Sequence, residues 1–220
     1  MTENEEPTLE SALVTSIAKE DLVELGADLA EVGLDHVLAE GLLRDIPVLG
    51  TLVALFRTGS TIRDRIFTAK VIRFLVGLAQ IPIDERERFL KEHAQKADKN
   101  RLGETLVLLL DRLDDMQKPE ALSRLFAGYI LGQYDLETFR RLATALDRIP
   151  LSALSPLRSF YEVQALGLQS PSLLGEHNGQ FVVAGLIDIE FHRTGPTGGP
   201  GGRYAKNALG ELFLKVLGSG

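Results

Sequence analysis

The chain has 220 residues, of which 45% are hydrophobic and 25% are charged, and its formal net charge is −7. This composition is typical of a globular protein with a core of its own. The sequence contains no cysteine, which excludes disulfide bonds, thiolate catalysis and cysteine-ligated metal sites and fits a reducing compartment. The acidic first residues lack the positive and apolar regions of a secretory signal, so we expect no export.

The chain begins with an acidic segment. Residues 1–8 are predicted to be a disordered tail, and helical periodicity begins at Leu9. Residues 1–40 contain 11 acidic residues against one base, Lys19, whereas residues 43–75 contain six bases against two acids. This division marks either an interaction surface or an acidic first helix that covers the basic segment.

The run from Ile46 to Ile62 is the most informative part of the sequence. It has 17 residues and one formal charge, Arg57, whereas a membrane span needs about 20 mostly apolar residues. A helix is predicted to begin near Asp45, with Pro47 in its first turn, and to end at about Arg57. The run is therefore either the central buried helix of a bundle or a segment that enters a membrane.

A second helix over 61–80 completes a predicted apolar hairpin that ends at residue 83. Basic residues interrupt this second helix, and a charge at the middle of a bilayer costs several kcal/mol. The small polar residues of the first run suit helix contacts or a pore lining. The candidate membrane or pore residues are Ile46, Leu49, Val53, Phe56, Thr58 and Thr61.

Further helices follow at short intervals. They are predicted over residues 85–96, 101–116, 120–131 and 136–149, with Asp or Pro at several of their starts. Residues 9–149 are thus predicted to form a helical domain without strands. The change of composition at Pro150–Pro156 predicts a boundary, and residues 151–220 are expected to form a second domain.

The second domain combines helices with a hairpin. Helices are predicted over 155–168 and 173–183, and residues 186–191 alternate as a strand. A glycine-rich turn over 195–202 leads to a second strand, 203–206, and to a last helix capped by Asn207. Ala184–Leu217 resembles the wing and closing helix of winged-helix modules through Gly185-Leu186-Ile187, Tyr204 and Leu209-Gly210. The expected fold is mainly α, a helical bundle with an apolar helix pair and a C-terminal winged-helix-like α+β module.

The sequence carries no catalytic or metal-binding pattern. His36, His93, His177 and His192 do not stand in HExxH or another ligand spacing. The glycines of 195–202 lack the Lys-Ser or Lys-Thr of a phosphate loop, and no nucleophile elbow is present. We therefore expect a non-enzymatic protein without a metal or cofactor.

The charge pattern also bears on nucleic-acid partners. The candidate reading helix, 173–183, contains no Lys or Arg, and the chain is negative overall, so we do not expect duplex DNA as a partner. A nucleotide or single-stranded oligonucleotide, held by a few cations, is the alternative to protein contacts. The candidate ligand residues are His192, Arg193, Arg203 and Lys206, with Arg63, Arg65, Lys70 and Arg73 as an alternative set.

The string GLLRDIPVLGTLVALFRTGSTIRDRIFTAKVIRFL over Gly41–Leu75, with Glu85-Arg86 and Phe89, is similar to a group of bacterial helical proteins found among prophage and anti-phage defence genes. Over residues 20–150 the layout also resembles the channel-forming effectors of nucleotide-signal defence systems such as Hailong. The resemblance implies a homo-oligomeric effector in the bacterial cytoplasm or inner membrane. It would perturb that membrane, or form pores in it, under control of a nucleotide or DNA oligomer. The alternative is a soluble winged-helix adaptor or transcription regulator.

Overall fold

The computed structural model describes residues 8–26, 46–55, 61–93, 95–168, 171–193 and 200–218. The chain divides into two compact units, Met1–Gln133 (the helical unit) and Tyr134–Gly220 (the C-terminal unit). The protein is mainly helical, with one small two-stranded sheet near its C-terminus, and this confirms the coarse fold prediction. Of the predicted tail over 1–8, residues 1–7 lie outside the described residues, and Thr8 is the N-cap of α1, where its hydroxyl accepts the Ser11 N–H at 3.3 Å.

The helical unit contains a series of packed helices. They are α1 (Leu9–Ser16), α2 (Pro47–Leu55), α3 (Ile62–Leu78), α4 (Ile83–Glu92), α5 (Lys96–Arg112) and α6 (Lys118–Ile130). Helix α1 packs against α2 and α5, and α3 packs against α5 and α6. Helix α3 begins where the sequence predicted, because Thr61 and Asp64 form a reciprocal capping box.

Helix α3 provides much of the core of the helical unit. Its residues Val71, Phe74 and Leu75 are fully buried. The Phe74 ring lies 5.7 Å from the ring of Phe126 on α6, which lies 5.7 Å from that of Phe89 on α4. Three helices thus meet through aromatic contacts, which contribute beyond the apolar area that they bury.

Two helix pairs in this unit approach closely at glycines. A Cβ added at Gly77 of α3 would lie under 3.0 Å from the Ser123 side chain of α6. A Cβ at Gly103 of α5 would lie equally close to the backbone carbonyl of Glu10 on α1. The absent side chains therefore set how near these helices pack.

A buried serine joins α1 to the start of α2. Ser16 is fully buried, and its hydroxyl donates to the Ala12 carbonyl at 2.8 Å. The same oxygen accepts the backbone N–H of Val48 at 3.0 Å. Because the first N–H groups of a helix have no partner within the helix, Ser16 caps α2 from a distant position in the chain.

The C-terminal unit contains helices around a hairpin. Its elements are α7 (Leu136–Arg148), the 3-10 turns Leu151–Ala153 and Pro171–His177, α8 (Leu154–Ala165), α9 (Asn178–Val183), β1 (Ile187–Arg193), β2 (Pro200–Lys206) and α10 (Ala208–Leu217). The strands are antiparallel, with Ile187 opposite Lys206 and Arg193 opposite Pro200. The predicted strands 186–191 and 203–206 fall within or beside this ladder.

The division between the units falls earlier than the predicted boundary at Pro150–Pro156. Helix α7 belongs to the C-terminal unit, where it packs against α9. Arg148, in the last turn of α7, donates to the Val183 carbonyl at 2.6 Å. The proline-flanked segment forms a 3-10 turn that leads directly into α8, and it lies within one compact unit.

Tyr161 of α8 forms the central polar contact of the C-terminal unit. Its hydroxyl donates to the Leu186 carbonyl and accepts the Asn207 N–H at 3.0 Å. Burial raises the pKa of Tyr161 to about 12. Asn207 caps α10 by accepting the Gly210 N–H at 2.9 Å. Leu186 and Gly210, two residues of the winged-helix resemblance, thus lie at this contact.

Candidate functional surfaces

The predicted membrane residues divide into a buried and an exposed set. Ile46 and Leu49 are buried in the core of the helical unit, whereas Val53 is exposed. Phe56 and Thr58 lie outside the described residues. Thr61 is the N-cap of α3 and accepts the Asp64 N–H at 3.2 Å. Among the described apolar residues of this set, Val53 is thus the one that solvent or lipid can reach.

Exposed aliphatic side chains flank residues 56–60 on both sides. We call Val53 and Leu55 of α2, with Ile62 and Ile66 of α3, the apolar flanks. Leu55 is 58% exposed and Ile62 is 79% exposed. Ile62 and Ile66 stand four residues apart and so lie on one side of α3. Leu55, Ile62 and Ile66 are not among the predicted site residues, because an unbroken apolar run does not show which side is buried.

The described helices give one finding on membrane spans. Within the described ranges, no single helix is both long and apolar enough to cross a bilayer. Helices α3 and α4 pass the length and composition test only as a pair, and they are bent by 112° at the break between them.

The alternative cationic set is spread along α3. Arg63 forms an ion pair with Asp111 at 2.9 Å, and the ammonium of buried Lys70 donates to the Asp111 carbonyl at 3.0 Å. Arg73 donates to the Met116 carbonyl at 3.2 Å, and Arg65 is exposed. Three of the four cations therefore hold α3 against the end of α5 and the loop that follows.

A buried lysine stands directly after that loop, at the first position of α6. The ammonium of Lys118 lies 2.7 Å from the Asp114 carboxylate, and the Lys118 side chain is almost fully buried. The hydrogen bond from Lys118, together with the charges of Lys118 and Lys70, lowers the pKa of Asp114. This pair is a structural contact that fixes the start of α6.

The described cations of the hairpin already face carboxylates. Arg203 forms an ion pair with Glu190 at 2.6 Å across the hairpin, and Lys206 forms one with Glu211 of α10 at 2.9 Å. The side chains of His192 and Arg193 lie outside the described residues. An anionic ligand at Arg203 and Lys206 must therefore compete with two carboxylates.

An open groove of about 450 Å³ lies beside Lys206, between α8 and α10. Its charged lining mixes bases with acids, so it does not present a purely cationic surface. The charged residues of this lining are Arg158, Glu162, Lys206, Glu211 and Lys215. Across the described part of the chain, no group of three or more His, Asp or Glu stands close enough to hold a metal ion.

The hairpin has two unlike faces. Ile187, Ile189 and Phe191 alternate along one face, with Ile187 buried and Phe191 78% exposed. Asp188 and Glu190 lie on the other face, because successive strand residues point to opposite sides. From the sequence, this alternation predicted a strand but no binding surface.

Comparison with known proteins adds no assignment to these surfaces. No protein-family model, no curated protein and no solved structure matches the chain.

Proposed function

We propose that this chain is a non-enzymatic, homo-oligomeric effector that acts at the bacterial inner membrane in anti-phage defence. The observation that carries the proposal is the pair of apolar flanks, where large aliphatic side chains stay exposed on both sides of residues 56–60. Apolar side chains beside cations on a helix surface favour binding to the interface of anionic bilayers. Arg63 and Arg65 supply cations in the first turns of α3.

The buried half of the apolar run requires a second step before it can enter the membrane. Val48, Leu49 and Leu52 pack in the core of the helical unit, so deeper insertion requires α2 to leave α1. The hydrogen bond from Val48 to Ser16 opposes that separation. We therefore propose that the flanks bind the membrane surface first and that α2 separates afterwards.

Several copies are needed for this activity. Helix α2 has nine residues, and one short apolar helix cannot enclose a pore. Small polar residues such as Thr51 suit contacts between helices of neighbouring copies. A homo-oligomer formed at the membrane is therefore part of the proposal.

The C-terminal unit is proposed to be a winged-helix-like module that controls the effector. The order of α8, α9, the antiparallel hairpin and α10 supports this assignment. The proposed ligand is a nucleotide or DNA oligomer held by His192, Arg193, Arg203 and Lys206. Because Arg203 and Lys206 face carboxylates, a multiply charged oligomer fits this role better than a single anion.

Dye release from vesicles tests the membrane proposal. We use vesicles of phosphatidylethanolamine and phosphatidylglycerol and compare the full chain with the double variant Ile62→Glu, Ile66→Glu. Both side chains are exposed, so the charges remove lipid contact without entering the core. The expected result is release by the wild type, with a steep dependence on protein concentration, and loss of release in the double variant.

The matched control places two charges at exposed apolar sites away from the flanks, through Val23→Glu and Leu131→Glu. This control should release dye as the wild type does. Leu49→Asp is not a useful variant, because Leu49 is a core residue and its loss would unfold the unit. Equal release by the wild type and the Ile62, Ile66 variant would refute the role of the flanks.

The second candidate is a soluble winged-helix adaptor or transcription regulator. The observation that favours it is the burial of Val48, Leu49 and Leu52, since an apolar helix packed in a core needs no membrane. A wild-type chain that stays in the soluble fraction of cells and releases no dye would favour this candidate.

A further inference from the structure

One edge of the two-stranded sheet is covered by a side chain. The Gln164 amide nitrogen of α8 donates to the Tyr204 carbonyl at 2.7 Å. Its amide oxygen accepts the Lys206 N–H at 2.9 Å. The Gln164 amide thus pairs with β2 as the peptide group of a neighbouring strand would. This contact protects the outer edge of β2 next to α10.

The same contact shows which way the backbone of β1 points. In an antiparallel pair, the N–H and C=O of one residue point to the same side of its strand. The backbone groups of Tyr204 and Lys206 point toward Gln164. The backbone groups of Arg203 and Ala205 therefore point toward β1. Their cross-strand partners are Glu190 and Asp188. The backbone groups of the intervening residues of β1, Ile189 and Phe191, therefore point away from β2.

The outer edge of β1 is open within the described part of the chain. No backbone hydrogen bond from another described element ends on Ile189 or Phe191. The Phe191 side chain is also largely exposed, and its cross-strand partner is Gly202, which has no side chain to cover it. Such an open apolar edge is a template for pairing with another strand.

We infer that the outer edge of β1 binds an extended segment of a partner protein in which basic and apolar residues alternate. A strand added beside β1 places alternate side chains on the two faces of the sheet. Its apolar side chains would extend the face of Ile189 and Phe191. Its basic side chains would lie opposite Asp188 and Glu190. The Glu190 carboxylate has acceptor positions for such a cation beside its contact with Arg203.

The same charges argue against a second copy of this chain on the edge. Antiparallel pairing of two copies of β1 that places Ile189 opposite Ile187, Ile189 or Phe191 puts Asp188 opposite Glu190, or one of these acids opposite itself. Like charges directly opposite each other destabilise a strand pair. Charge complementarity therefore selects a basic partner strand. This surface differs from the apolar flanks, so the inference stands apart from the membrane proposal.

Synthetic peptides on the full chain test this inference. The probe is the capped peptide KVKVKVK, with EVEVEVE and the block peptide KKKKVVV as matched controls. Fluorescence anisotropy measures binding, and amide hydrogen exchange measures protection at Ile189 and Phe191. We expect KVKVKVK to bind and to protect both amides, and to bind at least tenfold more tightly than either control.

Two variants separate edge pairing from simple charge attraction. Ile189→Pro removes an outward N–H without removing a bond of the β1–β2 ladder, and it should weaken KVKVKVK binding at least tenfold. If circular dichroism shows that this variant is unfolded, Phe191→Glu at the exposed position takes its place, with the same expected loss. Equal binding of KKKKVVV, or unchanged binding by the folded variant, would overturn the inference. Protection of these amides that rises with protein concentration alone would assign the edge to a second copy instead.

Discussion

Replacing Gly210 by alanine should destabilise the C-terminal unit, although alanine favours helix at most positions. Gly210 lies in the first turn of α10, against the contact between Tyr161 and Leu186. An added Cβ would lie under 3.0 Å from the Tyr161 hydroxyl and from the Leu186 carbonyl. Real Cβ atoms essentially never show such distances. Helix α10 must therefore move away from α8, and the hydrogen bonds of Tyr161 must lengthen or break.

The size of the effect follows from three contributions. Overpacking of a close contact costs about 1–3 kcal/mol, and a buried hydrogen bond that loses its partner costs about 1–3 kcal/mol more. Alanine regains about 1 kcal/mol of helix propensity over glycine. The free energy of unfolding of the C-terminal unit should therefore fall by about 3 kcal/mol, the middle of the range that these contributions span.

Urea unfolding followed by circular dichroism measures the change, and amide exchange in α10 assigns it to the C-terminal unit. Gly179→Ala is the matched control, because Gly179 is also helical and an added Cβ there meets nothing within 4 Å. That variant should be as stable as the wild type or slightly more stable. A Gly210→Ala protein that unfolds within about 0.5 kcal/mol of the wild type would refute the reasoning, since this is the ordinary range of surface substitutions.

Three further predictions concern buried polar contacts. Ser16→Ala should lower the stability of the helical unit by about 1–2 kcal/mol in urea unfolding, because the Val48 N–H loses its acceptor in the core, and an unchanged midpoint would contradict the capping role. The folded-state pKa of Asp114 is lowered by Lys118, so the stability from this pair is complete above the unfolded pKa of about 4 and is lost as the pH falls through the folded pKa. Asp114→Asn should flatten the acid limb of the plot of stability against pH. An identical acid limb would refute the contribution of this pair. The pKa of Tyr161 is raised to about 12 by burial, so its contribution to stability is complete below about pH 10 and is lost as the pH rises toward 12. Tyr161→Phe should remove one late step from the ultraviolet titration of tyrosine. A titration with every late step intact would contradict the assignment of the raised pKa to Tyr161.

The sequence predicted the elements with clear periodicity. The predicted last helix is one of these, and its apolar residues Leu209, Phe213 and Leu217 recur at helical spacing and are buried along one side of α10. The hairpin was also predicted, because Ile187, Ile189 and Phe191 alternate with acids and a glycine-rich turn follows. In both cases local pattern and tertiary packing favour the same structure.

Other features depend on contacts between distant residues, which no local pattern records. Leu49 and Ile62 belong to one apolar run, yet Leu49 is buried and Ile62 is exposed, because neighbouring helices decide which side is covered. The cap that Ser16 provides to Val48 joins residues 32 positions apart. In the sequence, Gln164 is an ordinary helix residue, and only the folded structure shows its contact with β2. The proposed functions therefore depend on tertiary placement more than on any motif.

The Gln164 contact also limits how many strands the hairpin can recruit. A sheet with two open edges can accept a strand on each side, and identical chains can then add one after another into a fibre. Here the amide of Gln164 occupies the edge of β2 at Tyr204 and Lys206. Strand addition therefore proceeds from the β1 side. Among the described residues, each hairpin thus has one open edge, so copies of the chain cannot add one after another through both edges of the same hairpin.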